Sequence, residues 1–324
     1  MFTKNTDESI RALAEVALIA QIRRWLGAVA PSCPQGIGDD CAVVDWPKGL
    51  KQVLTTDSLS YGQHFDDSVS AHDAGAKLIK RNLSDIAAMG GRPGEALLNL
   101  LSGNDLQTDW LAAFFDGICD ACQEYDLPIV GGDISTLPNG QFTAVLSLTG
   151  YSEKTPLLRK GAQAGDALYV TGTLGGSILN KHYNFKPRLT EGQWLAHSMA
   201  CSALMDTTDG LAKDLSELIP DGCAAYLKLS EIPLSDAAHQ CANASGQSAI
   251  EHAFCDGEDY ELLFAVKNNT KLEIFESHWR QKFPDTPLSQ IGRIRKSNSK
   301  APYIDSQTNE ALPWVKGFEH LIDP

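Results

Sequence analysis

Aspartate recurs in this chain where apolar segments end. Five stretches place it there: Gly36-Ile37-Gly38-Asp39-Asp40, Val53-Leu54-Thr55-Thr56-Asp57, Asn82-Leu83-Ser84-Asp85, Ile129-Val130-Gly131-Gly132-Asp133 and Met205-Asp206-Thr207-Thr208-Asp209-Gly210. Any one of them reads equally well as a turn residue, a strand cap or a helix cap. Their recurrence carries more, because strand ends are where α/β proteins gather binding sites. Carboxylates and hydroxyls suit hard cations such as magnesium. If these carboxylates converge, protons or metal must relieve their repulsion, and at neutral pH metal is favoured. The chain has neither a G-x-x-x-x-G-K-[ST] loop nor an H-R-D loop, so two common solutions for handling nucleotide phosphates are absent. Ions bridging carboxylates to phosphates could replace them, since phosphoryl transfer needs mainly in-line positioning and charge neutralisation.

The elements that must hold these residues follow from periodicity. Ile10, Leu13, Ala17, Leu18, Ile22 and Leu26 recur at helical spacing, which predicts an opening helix over 8–26. Pro31, Pro34, Gly36 and Gly38 break it. Short apolar runs at 42–44, 52–56, 96–101, 128–130 and 142–150 then read as strands, with helical patterns at 71–89 and 109–125 between them. Strand alternation sends Asp39 and Asp40 to opposite sides if a strand begins there, so one of the two faces a site. A second half opens at Gly165 with a strand and a glycine-rich turn ending at Ser177. That turn could cradle a phosphate or serve only as a tight connection. Helices are predicted near 190–204 and 209–219, strands near 223–229, 260–266 and 288–295, an exposed hairpin over 297–313 and a closing segment over 314–321.

Composition sets the bounds. At 324 residues two domains are the default. With 43% hydrophobic and 21% charged residues the chain is an ordinary globular protein. Its net charge of −14 argues against nucleic acid or an anionic membrane as partner. No segment approaches the roughly 18 apolar residues of a membrane span and no signal core opens the chain, so the expected location is cytoplasmic. Eight cysteines form no regular framework. Cys119 and Cys122 share a helix face and are expected to pack in the core.

Taken together, GIGDDCAVV, TTDSLSYGQHF, KLIKRNLSDIAAMGGRP, IVGGDIS, YVTGTLGGS, DTTDGLAKDL, GEDYELLF and the closing Trp314-Val-Lys-Gly-Phe318 are similar to the thiamine-monophosphate kinase family. That family belongs to the ATP-binding superfamily of aminoimidazole ribonucleotide synthetase and selenophosphate synthetase. The resemblance covers nearly the whole chain. It implies an α/β (α+β) fold of two domains. Residues 1–152 would form an N-terminal mixed-sheet domain that binds ATP and magnesium and builds a barrel across a homodimer. Residues 153–324 would form a C-terminal α/β domain completing the nucleotide and substrate site. The implied activity is ATP-dependent phosphorylation of thiamine monophosphate to thiamine diphosphate by direct in-line transfer, assisted by several magnesium ions.

Carried over by motif, Asp40, Thr55, Thr56, Asp57, Asp85, Asp133, Asp206 and Asp209 are the implied metal ligands, with Asp133 and Asp206 the most critical. No covalent nucleophile is implied. Gly132, Asp133, Arg159 and Thr208 would meet ATP; Thr208 could instead cap the following helix. His64, Glu258 and Phe318 would meet thiamine monophosphate, a carboxylate and an aromatic face being suited to the thiazolium cation. Lys77 and Arg81 share a helix face with Asp85, where ion pairing explains them as well as phosphate binding does. Residues 180–184 match no family motif, and threonines stand at 207 and 208 where the family more often has D-[LI]-S-D. The rival within the superfamily is a cyclo-ligase of the aminoimidazole ribonucleotide type, against which GEDYELLF and Gly317-Phe318 argue. A rival of another class, a non-catalytic divalent-metal module, lacks EF-hand spacing.

Overall fold

The computed structural model describes residues 1–318 apart from Ala14, Pro34 and 38–40, so Asp40 lies outside the described residues. The chain divides into two compact units: Met1–Ile86 with Arg92–Glu153, and Ala87–Gly91 with Lys154–Pro324.

The first unit runs α1 (Glu15–Leu26), β1 (Lys51–Ser60), α2 (Ala71–Ala88), β2 (Arg92–Ser102), α3 (Thr108–Glu124), β3 (Ile129–Thr136) and β4 (Phe142–Ser152). Its described strands form one sheet in the order β1-β4-β2-β3, antiparallel except for the parallel pair β2 and β3. Period-two alternation decides which face is covered. Phe142, Ala144, Leu146 and Leu148 of β4 and Ala96, Leu98 and Leu100 of β2 are buried, under helices that contribute Phe114, Phe115 and Ile118. On the opposite face Leu54 is 71% exposed and Leu97 is 46% exposed.

Three expectations change here. The opening helix begins only at Glu15, because the preceding residues pair elsewhere: Ser9 bridges Gln107 and Ile10 donates to Leu106 O at 2.9 Å. Residues 42–44 form no strand; the run finds no partner among the described residues, and Val43 is 63% exposed. Strands β1 and β3 continue past the expected ends, so Asp57 and Asp133 sit within strands. Cys119 and Cys122 are buried as expected, and burial pushes the Cys119 thiol up to about 11.

The second unit runs β5 (Ala167–Thr171), α4 (Lys181–Asn184), α5 (Leu189–Ser198), β6 (Cys201–Asp206), α6 (Leu211–Leu218), β7 (Cys223–Leu227), α7 (Asp236–Ser245), α8 (Ala249–Cys255), β8 (Leu262–Val266), α9 (Leu272–Lys282), β9 (Leu288–Lys296) and β10 (Tyr303–Asp305). Its described strands form a second sheet, β10-β7-β9-β5-β8-β6. Every residue of β5 and β8 is buried, as continuous apolar runs in a doubly covered sheet should be. The helix expected to reach 204 stops at Ser198, where Met199 turns left-handed at φ 59°, and Cys201–Asp206 pairs with β8 instead. The hairpin expected to be exposed buries Tyr303 and Ile304, because β10 adds to β7 as a parallel edge strand.

Candidate functional site

In the first unit, strand parity and helix spacing bring part of the aspartate series together. Thr55 and Asp57, two apart on β1, face α2. Thr55 Oγ1 donates to Asp85 Oδ2, which stands in the last turn of α2. Arg81, one turn earlier, places Nε 3.0 Å from Asp57 Oδ2 and donates from Nη1 to Ser58 O at 2.6 Å. The arginine therefore ties α2 to β1. Thr56 points the other way: its hydroxyl lies 3.1 Å from Leu146 O and 3.2 Å from Ser147 Oγ on the open face.

Asp133 follows Thr56. It is in register with Asn99 on β2, which is in register with Val145 on β4 and Ser58 on β1. Residues in register share a face, so Asp133 lies on the face opposite Asp57, at the far edge of the sheet. Ser135 Oγ donates to Asp133 Oδ2 at 3.0 Å. Asp133 also lines a cavity of about 540 Å³ on the open face, with Cys41, Leu54, Leu97 and Asn99. Gly132 has its own reason: a Cβ there would stand 1.7 Å from Leu98 O, so β2 and β3 could not pair with any side chain at this point. His64 accepts from Ser60 N at Nδ1, 3.0 Å, and its carbonyl accepts from the buried Lys77 ammonium at 2.7 Å.

In the second unit the loop after β6 is the centre. Asp206 and Thr207 are buried, and Gly210 occupies the cap position of α6, so Thr208 is not the cap. The loop is fixed by Asp214, a residue the aspartate series overlooked. Its Oδ2 accepts from Thr208 N at 2.9 Å and from Asp209 N at 3.1 Å. Burial, then the charges of Asp206 and Asp209, raise the Asp214 carboxyl well above the usual range, against the pull of those two amides. The sequence signal was the spacing: Asp214 follows Asp209 by five residues, in the first helical turn. Asp209 itself pairs with Lys213 at 2.7 Å.

Two further segments close on this loop. Glu258 N donates to Thr208 O and Tyr260 N to Thr207 O, both at 2.8 Å. Glu258 and Tyr260 hold φ of 56° and 52°, strained for side-chain-bearing residues. Gly257 is obligatory at φ +85°, where a Cβ would lie 2.6 Å from Thr208 O. Tyr260 OH donates to Glu258 Oε1 at 3.1 Å. Near the end of the described chain, Phe318 N donates to Asp209 O at 2.9 Å, and Lys213 Nζ donates to Phe318 O at 2.9 Å. Thr208, Asp209, Glu258 and Phe318 are thus brought together. Arg159 is exposed on a stretch running along β6, where Leu204 N donates to Leu158 O at 3.0 Å. The glycine-rich turn after β5 spends its Gly175 amide on the buried Asp259 carboxylate, 3.0 Å to each oxygen. Burial raises Asp259 to about 7, although Lys181 and the Gly175 amide oppose it.

The candidate ligands offer oxygen donors only, with no histidine or cysteine, which is the chemistry magnesium accepts. Among the described residues, no three histidine, cysteine or acidic side chains gather closely enough to hold an ion by themselves.

Comparison with known proteins places these features. The family described as AIR synthase related protein, N-terminal domain, matches residues 38–152. A thiamine-monophosphate kinase of Rhodopirellula baltica is 38% identical over 82% of this chain and 84% of its own length. The thiamine-monophosphate kinase of Escherichia coli K12 is 31% identical over 97% of this chain and its whole length. The solved structure of AaThiL complexed with AMPPCP and TMP superposes with a TM-score of 0.69 at 27% identity, covering 97% of this chain and 99% of that one.

Proposed function

The chain belongs to the thiamine-monophosphate kinase family, and from that premise we propose how its residues carry out the ATP-dependent phosphorylation of thiamine monophosphate to thiamine diphosphate. One observation carries the assignment of roles: the loop at 206–209 is bonded through Thr208 O to Glu258 and through Asp209 O to Phe318. Groups suited to a cation and an aromatic heterocycle therefore stand directly beside groups suited to phosphate.

Glu258 and Phe318 receive the thiazolium end of the substrate, and His64 is the third substrate residue. Thr208 and Arg159 take the nucleotide phosphates, the guanidinium fork being matched to them. Gly132 lets the β3 backbone pack closely beside Asp133, which meets the nucleotide. Magnesium would be held by Asp40, Thr55, Asp57, Asp85, Asp133, Asp206 and Asp209, with Thr56 contributing through its backbone oxygen, since its hydroxyl is turned away. When bound, these ions neutralise the phosphate oxygens of donor and acceptor. The chain supplies no nucleophile of its own; the attacking oxygen belongs to the substrate phosphate, and the protein's task is alignment. Arg81 pairs with Asp57 at 3.0 Å and so holds its carboxylate beside α2.

Strand order supports a homodimer. Strands β1 and β3 are the two edges of the sheet, three strand spacings or about 14 Å apart. Asp57 and Asp133 stand at opposite edges and face opposite sides of the sheet, so one ion does not bridge them, and the dimer reading rests on the two sheet edges and the exposed apolar face. A second copy placed edge to edge would set β3 of one chain against β1 of the other, close a barrel and cover Leu54, Leu97, Val43 and Val44. The proposed location is cytoplasmic: all eight cysteines are free thiols, as suits a reducing compartment, and no helix among the described residues is long and apolar enough to cross a membrane. Nucleic acid is not an expected partner.

The test is product analysis. ATP and thiamine monophosphate with magnesium should give ADP and thiamine diphosphate in equal amounts, and calcium in place of magnesium should not. Absence of thiamine diphosphate under magnesium would overturn the proposal.

A further inference from the structure

The four-residue helix α4 lies in the stretch that matches no motif, and it is too short to be stable alone. What holds it is the Glu258–Glu261 run, contacted at four points. Lys181 Nζ lies 2.9 Å from Glu261 Oε1. His182 Nδ1 lies 3.7 Å from Glu258 Oε2. Phe185 stacks on Tyr260 with ring centroids 3.9 Å apart and planes 11° from parallel. Arg188 grips Glu261 with Nε at 2.8 Å and Nη2 at 2.9 Å. Lys181 and Phe185 anchor the chain on either side of the buried His182.

We propose that His182 is a positioning residue for thiamine monophosphate, acting by fixing the plane of the Glu258 carboxylate; this rests on the reading of Glu258 as a substrate residue. The carboxylate is held from two directions. Tyr260 OH bonds one oxygen and His182 faces the other. At 3.7 Å the second contact exceeds a direct hydrogen bond, so the buried ring restrains the carboxylate as a close polar neighbour. The restraint matters because Glu258 leaves the backbone at positive φ, a conformation the surrounding contacts must maintain. A carboxylate already set in place costs the incoming cation less ordering, which lowers KM for that substrate without touching transfer.

The experiment compares His182→Ala, His182→Gln, Glu258→Gln and the Ala/Gln double variant in the full-length enzyme with magnesium, ATP and thiamine monophosphate. His182→Ala should raise KM for thiamine monophosphate about fivefold, with KM for ATP and kcat within about twofold, and His182→Gln should recover at least half of the loss. In the Glu258→Gln background the alanine should add little, because the two residues act through one carboxylate. A raised KM in Glu258→Gln with none in His182→Ala would overturn the inference and leave the reading of Glu258 standing. No change in Glu258→Gln would remove both. Parallel losses for both substrates, matched by a lower melting temperature and unrescued by glutamine, would make His182 a merely structural residue and overturn the inference.

Discussion

Replacing Glu261 by glutamine removes the negative charge that Lys181 and Arg188 share. Only 1% of the residue is exposed, and its carboxylate accepts from Thr171 Oγ1 at 2.7 Å, Lys181 at 2.9 Å and Arg188 at 2.8 and 2.9 Å. Glutamine keeps one acceptor oxygen and turns an amide NH2 toward a cation, so about two charge-assisted bonds of roughly 1.5–3 kcal/mol are lost. The cations retain some exposure, 23% and 18% of their side chains, and water recovers part of that. About 3 kcal/mol remains, at the low end for breaking a buried ion pair. For a unit of this size that is a fall in melting temperature of about 6–12 °C. The sign of the pH dependence is fixed as well. Burial alone would raise the Glu261 carboxyl, but Lys181, Arg188 and Thr171 outweigh it and hold it below its ordinary 4.5. A lowered carboxyl contributes stability that is present above the ordinary value and is lost as pH falls through the folded one. The gap between parent and variant should therefore be full at pH 7 and shrink as the pH falls below the ordinary 4.5 and through the lower folded value. Calorimetry of both proteins across that range is the assay. A gap below about 1 °C at pH 7, or one that widens in acid, would refute the reasoning.

Three other outcomes follow from the same geometry. Asp85→Asn should abolish the rise in melting temperature that magnesium gives the parent, and should weaken manganese binding seen by electron paramagnetic resonance at least tenfold. Leu54→Asp, on the open sheet face, should halve the mass measured by light scattering, the partner face being unable to bury a carboxylate. Gly257→Ala combines positive φ with a Cβ 2.6 Å from Thr208 O; it should destabilise the protein by about 2–4 kcal/mol in urea titration.

The sequence was most legible where physics is local. Strand alternation in 142–150, the apolar runs of β5 and β8, and the core placement of Cys119 and Cys122 all follow from side-chain period. Asp209, Glu258 and Phe318, singled out from motifs, are joined by backbone hydrogen bonds at one loop. Other features depend on partners remote in sequence. No pattern in 8–14 announces that Ser9 will bridge Gln107, and residues 201–204 read as helix until β8 offers them a ladder. The faces of Thr56 and Asp133 depend on register across four strands, which spacing along the chain does not encode. Residues 180–188 were opaque because their role is to answer Glu258, Tyr260 and Glu261, about 75 positions away.

Lys213 ties the 206–209 loop to the closing segment with one ammonium, bonded at once to the Asp209 carboxylate and to the carbonyl of Phe318. Its side chain is 37% exposed, within reach of reagents. Chemistry that neutralises amines, whether acetylation or coupling to a sensor surface, unties the loop and the closing segment together. Modifying Lys213 alone would then loosen the loop and the closing segment together.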